Sequence, residues 1–236
     1  MAKSFTNPTE KIISNELNKK IPFAIVESYK NIRTNVISLL NKSGGNVLAI
    51  TSPNATEGKS TTAINLAITL SQLNKKVVLL DADSRRPSIN KRLKIDAEIG
   101  CVDYLCGNNK IDDAIVNYNN YLDVIISGSK SKNPTELFSS ENFESLIDEL
   151  KERYDYVVID TPPINPVSDS LIISQKCDAL IMVVKAGSTT YYSFNKAYDA
   201  LKVLDIDVSG VILNGSVSNP SYSYKYKNKN SQYYKY

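Results

Sequence analysis

The sequence contains no histidine. This removes the usual general base of neutral pH and the commonest transition-metal ligand. Any chemistry must therefore run on carboxylates, lysine and backbone dipoles. Cysteine is sparse. Cys101, Cys106 and Cys177 form neither a pairable set nor a metal-ligand pattern, and read as reduced thiols. No apolar run approaches the roughly 18 residues that a membrane span needs. The N-terminal stretch MAKSFTNPTEK has no apolar segment of the secretory type, so the expectation is a cytoplasmic chain. Strong charge is missing as well. The net charge is +3, and four lysines with no acids fall between Ser221 and Tyr236. A near-neutral body with a basic tail argues against a broad nucleic-acid footprint.

What is present is a chain of 236 residues with 42% hydrophobic content, enough to bury a sizeable core in one domain or two small ones. Residues 1–20 are polar and lack periodicity, and read as an arm. From Pro22, Ile25, Tyr29, Ile32, Val36 and Leu39 recur at helical spacing until Ser43-Gly44-Gly45. Short apolar runs then follow: VLAI (47–50), VVLL (77–80), LDVII (122–126), YVVI (156–159), LIMVV (180–184) and GVIL (210–213). They are rich in Val and Ile and barely alternate, as strands buried on both faces do. Helical patterns lie between them at 59–73, 134–153, 169–175 and 191–204. This order predicts an α/β fold with a doubly wound, mostly parallel sheet spanning 21–214, with ligands at the carboxyl ends of its strands. Residues 215–236 read as a flexible tail.

The segment AITSPNATEGKSTTAINLAITL falls where the first strand meets the next helix. Gly58-Lys59-Ser60 is the end of a P-loop, although position 53, where the pattern G-x-x-x-x-G-K-[ST] wants glycine, is Pro53. Backbone N–H groups at a helix N-terminus attract phosphate. Lys59 can reach the β- and γ-phosphates of ATP, and the Ser60 hydroxyl can ligate Mg2+. Glu57, Gly58 and Thr61 complete the expected nucleotide loop. VVLLDADSRRP places Asp81 and Asp83 at a strand's carboxyl end, and YVVIDTPP places Asp160 likewise. Spaced by two, Asp81 and Asp83 share a side while strand geometry lasts. Each aspartate alone reads as a helix cap; beside GKST, the three read as a metal and phosphate site. Arg85 and Arg86 read equally as phosphate-steadying groups or as a surface salt bridge.

With these motifs the sequence resembles the deviant-Walker P-loop ATPases. Within them it is similar to the bacterial tyrosine kinases of capsule and exopolysaccharide assembly. GKST matches Walker A, LLDADSRRP matches Walker A′ and VVIDTPP matches Walker B. NPTEL (133–137) matches an NPxEL stretch, and ESYKNIRTN resembles an E-x-x-R-x-x-R oligomerisation motif through Glu27, Lys30 and Arg33. GVILN resembles the last strand, whose end, Asn214, lies near the base in related ATPases. The family usually carries Gly where Thr56 stands and Arg where Lys30 stands. The resemblance implies that Lys59 and Ser60 hold phosphate and Mg2+, that Ser60, Asp81 and Asp160 organise the metal, and that Asp83 accepts the tyrosine proton. It also implies a homo-oligomeric ring and a transmembrane activator whose cytoplasmic segment completes the site and recruits the chain to the inner face of the membrane.

Six of the 15 tyrosines lie in the last fifteen residues: Tyr222, Tyr224, Tyr226, Tyr233, Tyr234 and Tyr236. Ser, Lys and Asn fill the gaps, so the segment cannot bury enough surface to fold alone. An alternating Tyr/Lys strip can bind nucleic acid by stacking and phosphate contact. Attached to a P-loop domain, it reads better as a set of phosphate acceptors, used in trans by a neighbouring subunit. Two other readings use the same motifs. A partitioning ATPase usually carries a second lysine early in the loop, and no lysine lies between Val47 and Gly58. A nucleotide-binding scaffold fits the single-glycine loop.

Overall fold

The computed structural model describes residues 22–107 and 109–216. The chain runs α1 (Phe23–Ser43), β1 (Val47–Thr51), α2 (Lys59–Ser71), β2 (Val77–Asp81), α3 (Ile89–Leu93), α4 (Cys101–Leu105) and α5 (Ile111–Ala114). It continues through β3 (Ile115–Asn119), β4 (Leu122–Ile125), α6 (Pro134–Phe138), α7 (Glu141–Arg153), β5 (Tyr156–Asp160), α8 (Asp169–Ser174), β6 (Ala179–Lys185), α9 (Tyr191–Lys202) and β7 (Gly210–Asn214). The seven strands form one sheet in the order β3-β4-β2-β5-β1-β6-β7. All neighbours are parallel except β3 and β4.

The inner strands are buried along their whole length: β1 and β2 expose none of their residues. Alternate residues face the two sides of the sheet. Leu48, Ile50, Leu79 and Val158 face α1 and α2, while Val47, Leu80, Val157 and Ile159 face Phe138, Phe143 and Leu146 of α6 and α7. Helix α2 is buried almost all round, which explains its run of Ala, Ile and Leu with no charged residue after Lys59. Helix α1 buries only Val36 and Leu40 fully, and stops at Gly44, whose φ of 73° is left-handed and whose N–H caps Leu40.

The sequence pattern located six of the seven strands, the half-exposed edge strand β7 among them, and missed the other edge strand, β3. The expected helix over 134–153 is two helices. Ser140 adopts extended backbone and starts α7, so the chain turns between Phe138 and Glu141. The expected ends at 73, 175 and 204 fall instead at Ser71, Ser174 and Lys202.

Strand register sets the geometry at the carboxyl end of the sheet. Asp81 of β2 sits opposite Asp160 of β5, and Ile50 of β1 sits opposite Asp160 on its other side. Three adjacent strands therefore end level. Their carboxyl ends present the Asp81–Asp83 loop, Asp160 and the loop from Ser52 to Gly58 to one another.

Candidate nucleotide and phosphoryl-transfer site

Lys59 opens α2 and is almost fully buried, at 7% exposure. Its Nζ lies 2.7 Å from Asp83 Oδ2 and 3.4 Å from Asp160 Oδ1, and donates to Ser60 Oγ at 3.3 Å. Burial alone would lower the lysine pKa; the carboxylates of Asp160 and Asp83 more than offset it and hold the ammonium above its ordinary range. Lys59, Ser60, Asp83 and Asp160 thus come together as the sequence predicts.

Asp81 is placed beside them but is otherwise occupied. Its Oδ1 accepts the Asp83 N–H at 3.2 Å, and its Oδ2 accepts those of Ser88 and Ile89 at 3.2 and 3.1 Å. Burial, then the negative charge of Asp160, push its pKa up to about 7 against these hydrogen bonds. Burial likewise raises Asp160, with Lys59 and a hydrogen bond from Ser60 opposing it. Asp83 Oδ1 accepts the Arg86 N–H at 3.0 Å, which leaves Oδ2 to Lys59.

The residues suit a magnesium–phosphate group. Asp160 Oδ2 is buried with no hydrogen-bond partner, and the Ser60 hydroxyl bonds the same carboxylate. No group of three or more acidic or thiol side chains suited to a metal occurs among the described residues. Mg2+ needs none, because it keeps waters and is held by one or two carboxylates together with substrate phosphates.

The loop itself is held open by its own side chains. Gly58 has φ 103°, and a Cβ there would lie 2.0 Å from Asn214 Nδ2, so only glycine fits. Asn214, at the end of β7, donates to the Glu57 carbonyl at 2.9 Å. The Glu57 side chain is buried and bonded to Asn54 and Thr189. Thr56 has φ 64°, a left-handed conformation for a β-branched residue. Thr61 stands further along the first turn, where its hydroxyl accepts from Arg92 at 3.0 Å.

Arg85 makes a forked pair with Asp169, at 2.6 Å from Nε and 3.1 Å from Nη2. Of its two expected roles the structure supports the salt bridge, although the partner carboxylate is fully buried rather than superficial. Thr135 of the NPTEL stretch donates to the same carboxylate at 2.8 Å. Glu27, Lys30 and Arg33 share a face of α1. Lys30 pairs with Glu27 at 2.7 Å, and Arg33 donates to the Thr69 carbonyl in the last turn of α2 at 2.8 Å. The tail tyrosines Tyr222, Tyr224, Tyr226, Tyr233, Tyr234 and Tyr236 lie outside the described residues.

Residues 34–205 match the family described as an AAA domain. The chain is 36% identical over 202 residues to the tyrosine-protein kinase YwqD of Bacillus subtilis (strain 168), covering 85% of each protein. The chain belongs to the bacterial tyrosine-protein kinases. The kinase domain of the Escherichia coli tyrosine kinase ETK superposes on it with a TM-score of 0.80 and 27% identity, over 89% of this chain and 86% of that one. A putative plasmid partition protein from Borrelia burgdorferi B31, solved bound to AMPPNP, shares the architecture at a TM-score of 0.58 and 26% identity, over 74% and 78% of the two chains. The family's fold is therefore shared with a plasmid partition protein, and the kinase is the nearer of these two structures.

The sequence missed three residues that shape this site. Asn54, Asp169 and Thr189 are polar residues in or beside loops. Only their partners, distant in sequence, reveal them.

Proposed function

We propose that this chain is an ATP- and magnesium-dependent tyrosine kinase whose acceptors are its own C-terminal tyrosines. One observation carries the reading: a buried lysine at the start of α2 is held between the carboxylate that ends β5 and one in the loop just past the end of the neighbouring β2. Such a lysine is poised to leave an ion pair for a phosphate. An arriving triphosphate brings more negative charge than one carboxylate, so Lys59 moves toward the phosphates and Asp83 Oδ2 is released. The freed carboxylate takes the proton of the attacking phenol as the oxygen–phosphorus bond forms and ADP leaves.

When bound, magnesium would neutralise charge developing on the phosphate oxygens. Ser60 and Asp160 would hold it, and Asp81 orients the loop that carries Asp83. The backbone N–H groups from Thr56 to Ser60 cradle the phosphates. Asn214 and Gly58 shape the edge of the loop beside the base.

The reading extends to assembly. Tyr222, Tyr224, Tyr226, Tyr233, Tyr234 and Tyr236 enter the site of a neighbouring copy, in a ring built through Glu27, Lys30 and Arg33. A transmembrane activator supplies membrane attachment, as the resemblance to the kinase family implies. Phosphorylation adds roughly −1.5 to −2 charge per tyrosine, which reverses the tail's sign and loosens the ring. The process served is capsule or exopolysaccharide synthesis and export.

A mixing experiment tests the acceptors and the trans geometry together. Lys59→Met provides an intact tail without catalysis, and a variant with the six tail tyrosines changed to Phe provides catalysis without acceptors. Phosphate appearing on the tail of the Lys59→Met chain only in the mixture supports transfer in trans. Phosphate elsewhere, or none in the mixture while the wild type is labelled, overturns that part. For the ring, Glu27→Ala with Lys30→Ala should lower the oligomeric mass in light scattering, and an unchanged mass contradicts the interface.

A further inference from the structure

Beyond the reacting carboxylates, a second polar cluster braces the P-loop from behind. Glu57 Oε2 accepts the Asn54 N–H at 2.9 Å, and Oε1 accepts Asn54 Nδ2 at 3.0 Å and the Thr189 hydroxyl at 2.6 Å. The Thr189 oxygen itself accepts the Lys185 N–H at 2.8 Å, which leaves its single proton to Glu57. The Asn54 amide is oriented in turn by Ser193 at 2.6 Å and Asn165 at 3.2 Å. Glu57 is also held through its carbonyl, by Asn214. Thr189 and Asn214 are joined across the same turn, where the Ala186 N–H donates to the Asn214 carbonyl at 2.8 Å.

We infer that Glu57 is a positioning residue for the triphosphate and that Thr189 is the partner that fixes it. The inference rests on the nucleotide reading above and assigns the loop's shape to this pair. Two physical consequences support it. The carbonyl of Glu57 and the N–H of Gly58 belong to one trans peptide plane and point in opposite directions. With the carbonyl turned onto Asn214, the Gly58 N–H faces away from Asn214 and stays available to an anion. Second, Glu57 is an acceptor of the same sign as phosphate. Every hydrogen bond to its carboxylate draws it toward Asn54 and Thr189 and keeps it off the phosphate side. Without Thr189, the carboxylate is free to swing back and repel the ligand.

The substitutions separate shape from bulk. Thr189→Ser keeps the hydroxyl and Thr189→Val removes it at similar size. Glu57→Gln keeps one acceptor and sets an amide donor against the Asn54 N–H. The measurement is the affinity of the full chain for ATP with Mg2+, and separately for ADP, alongside melting of the nucleotide-free protein. Thr189→Val and Glu57→Gln each weaken ATP binding by about tenfold, as loss of a charge-assisted hydrogen bond does. ADP, with less charge, loses less. Thr189→Ser binds as wild type, and the double variant is no weaker than the weaker single one, because the two act as one unit. Wild-type ATP affinity in a folded Thr189→Val chain, or equal losses in the Ser and Val variants, overturns this inference alone. If Thr189→Val does not fold, wild-type affinity in Glu57→Gln overturns it. Failure of the wild type to bind ATP overturns the nucleotide reading and this inference with it.

Discussion

Lys59 and Asp83, 24 positions apart, meet in a buried ion pair of 2.7 Å. The pair joins the first residue of α2 to the loop after β2, and it forms because β1, β5 and β2 lie side by side and end level. Breaking a buried pair leaves an uncompensated charge unless a new partner arrives. A triphosphate is such a partner for the lysine, and a phenol proton is one for the carboxylate. Asp83→Asn removes the acceptor and leaves Lys59 free for phosphate. It should lower the rate of tyrosine phosphorylation by about a hundredfold to ten-thousandfold, with ATP affinity equal to or better than wild type. Single-turnover kinetics with a direct binding titration check this. Lost binding with an unchanged rate at saturation contradicts the role.

Asp81 supplies a pH signature. Its native pKa is pushed up to about 7 from an ordinary value of 3.8, by burial first and the charge of Asp160 second. The native state then holds more protons than the unfolded chain within that window, so this contribution is complete below 3.8 and is lost as pH rises through about 7. The nucleotide- and metal-free protein should melt at a higher temperature near pH ~6 than near pH ~8. Asp81→Asn should flatten the slope without removing it, because Asp160 is raised too. A wild-type melting temperature that rises over the same interval contradicts the assignment.

Thr56 occupies a left-handed conformation with φ 64°. Such a conformation costs an L-residue about 1–2 kcal/mol, and glycine's greater freedom in the unfolded chain returns about 0.5–1 kcal/mol of that. Thr56→Gly should therefore stabilise the protein by about 0.5–1 kcal/mol, read as a higher urea midpoint at unchanged slope. A lower midpoint would mean that the threonine side chain contributes contacts exceeding its backbone strain.

Arg85 and Asp169 make the other strong pair, and here only the arginine is partly exposed. Arg85→Ala strands a fully buried carboxylate and should cost about 2–4 kcal/mol, less than a wholly buried pair because water reaches the arginine side. Arg85→Lys should recover part of this, since one ammonium cannot copy the forked contact. Urea unfolding measures both. The loss should be reduced when Asp169→Asn is added, because the stranded charge is then gone.

Much of the fold was legible because its inner strands are buried on both faces and read as unbroken runs of Val, Ile and Leu. Strand β3 was not. Its sequence, IVNYN, is half-exposed at the sheet edge and pairs antiparallel through a short turn, so it carries neither a continuous apolar run nor clean alternation. Helices α3, α4 and α5 span only four or five residues, too few for a helical period to show. At the site, Lys59, Ser60, Asp83 and Asp160 were legible because each sits at, or just past, a strand end or helix start that the pattern had already located. Thr189 and Asp169 were not, since their importance comes from contacts 132 and 84 residues away. The three residues of α1 were grouped correctly on one face, yet sequence alone could not show that Arg33 reaches the end of α2.

The central claim is that the Lys59 site transfers phosphate to the chain's own tyrosines. Its most direct test is the intact mass of the full chain after incubation with ATP and Mg2+, with and without the cytoplasmic segment of an activator, in wild type and Lys59→Met. Whole-phosphate gains are expected in the wild type, mapping to residues 222–236 and vanishing in the variant. Bound nucleotide with no mass gain under either condition, or equal gains in both proteins, would contradict it.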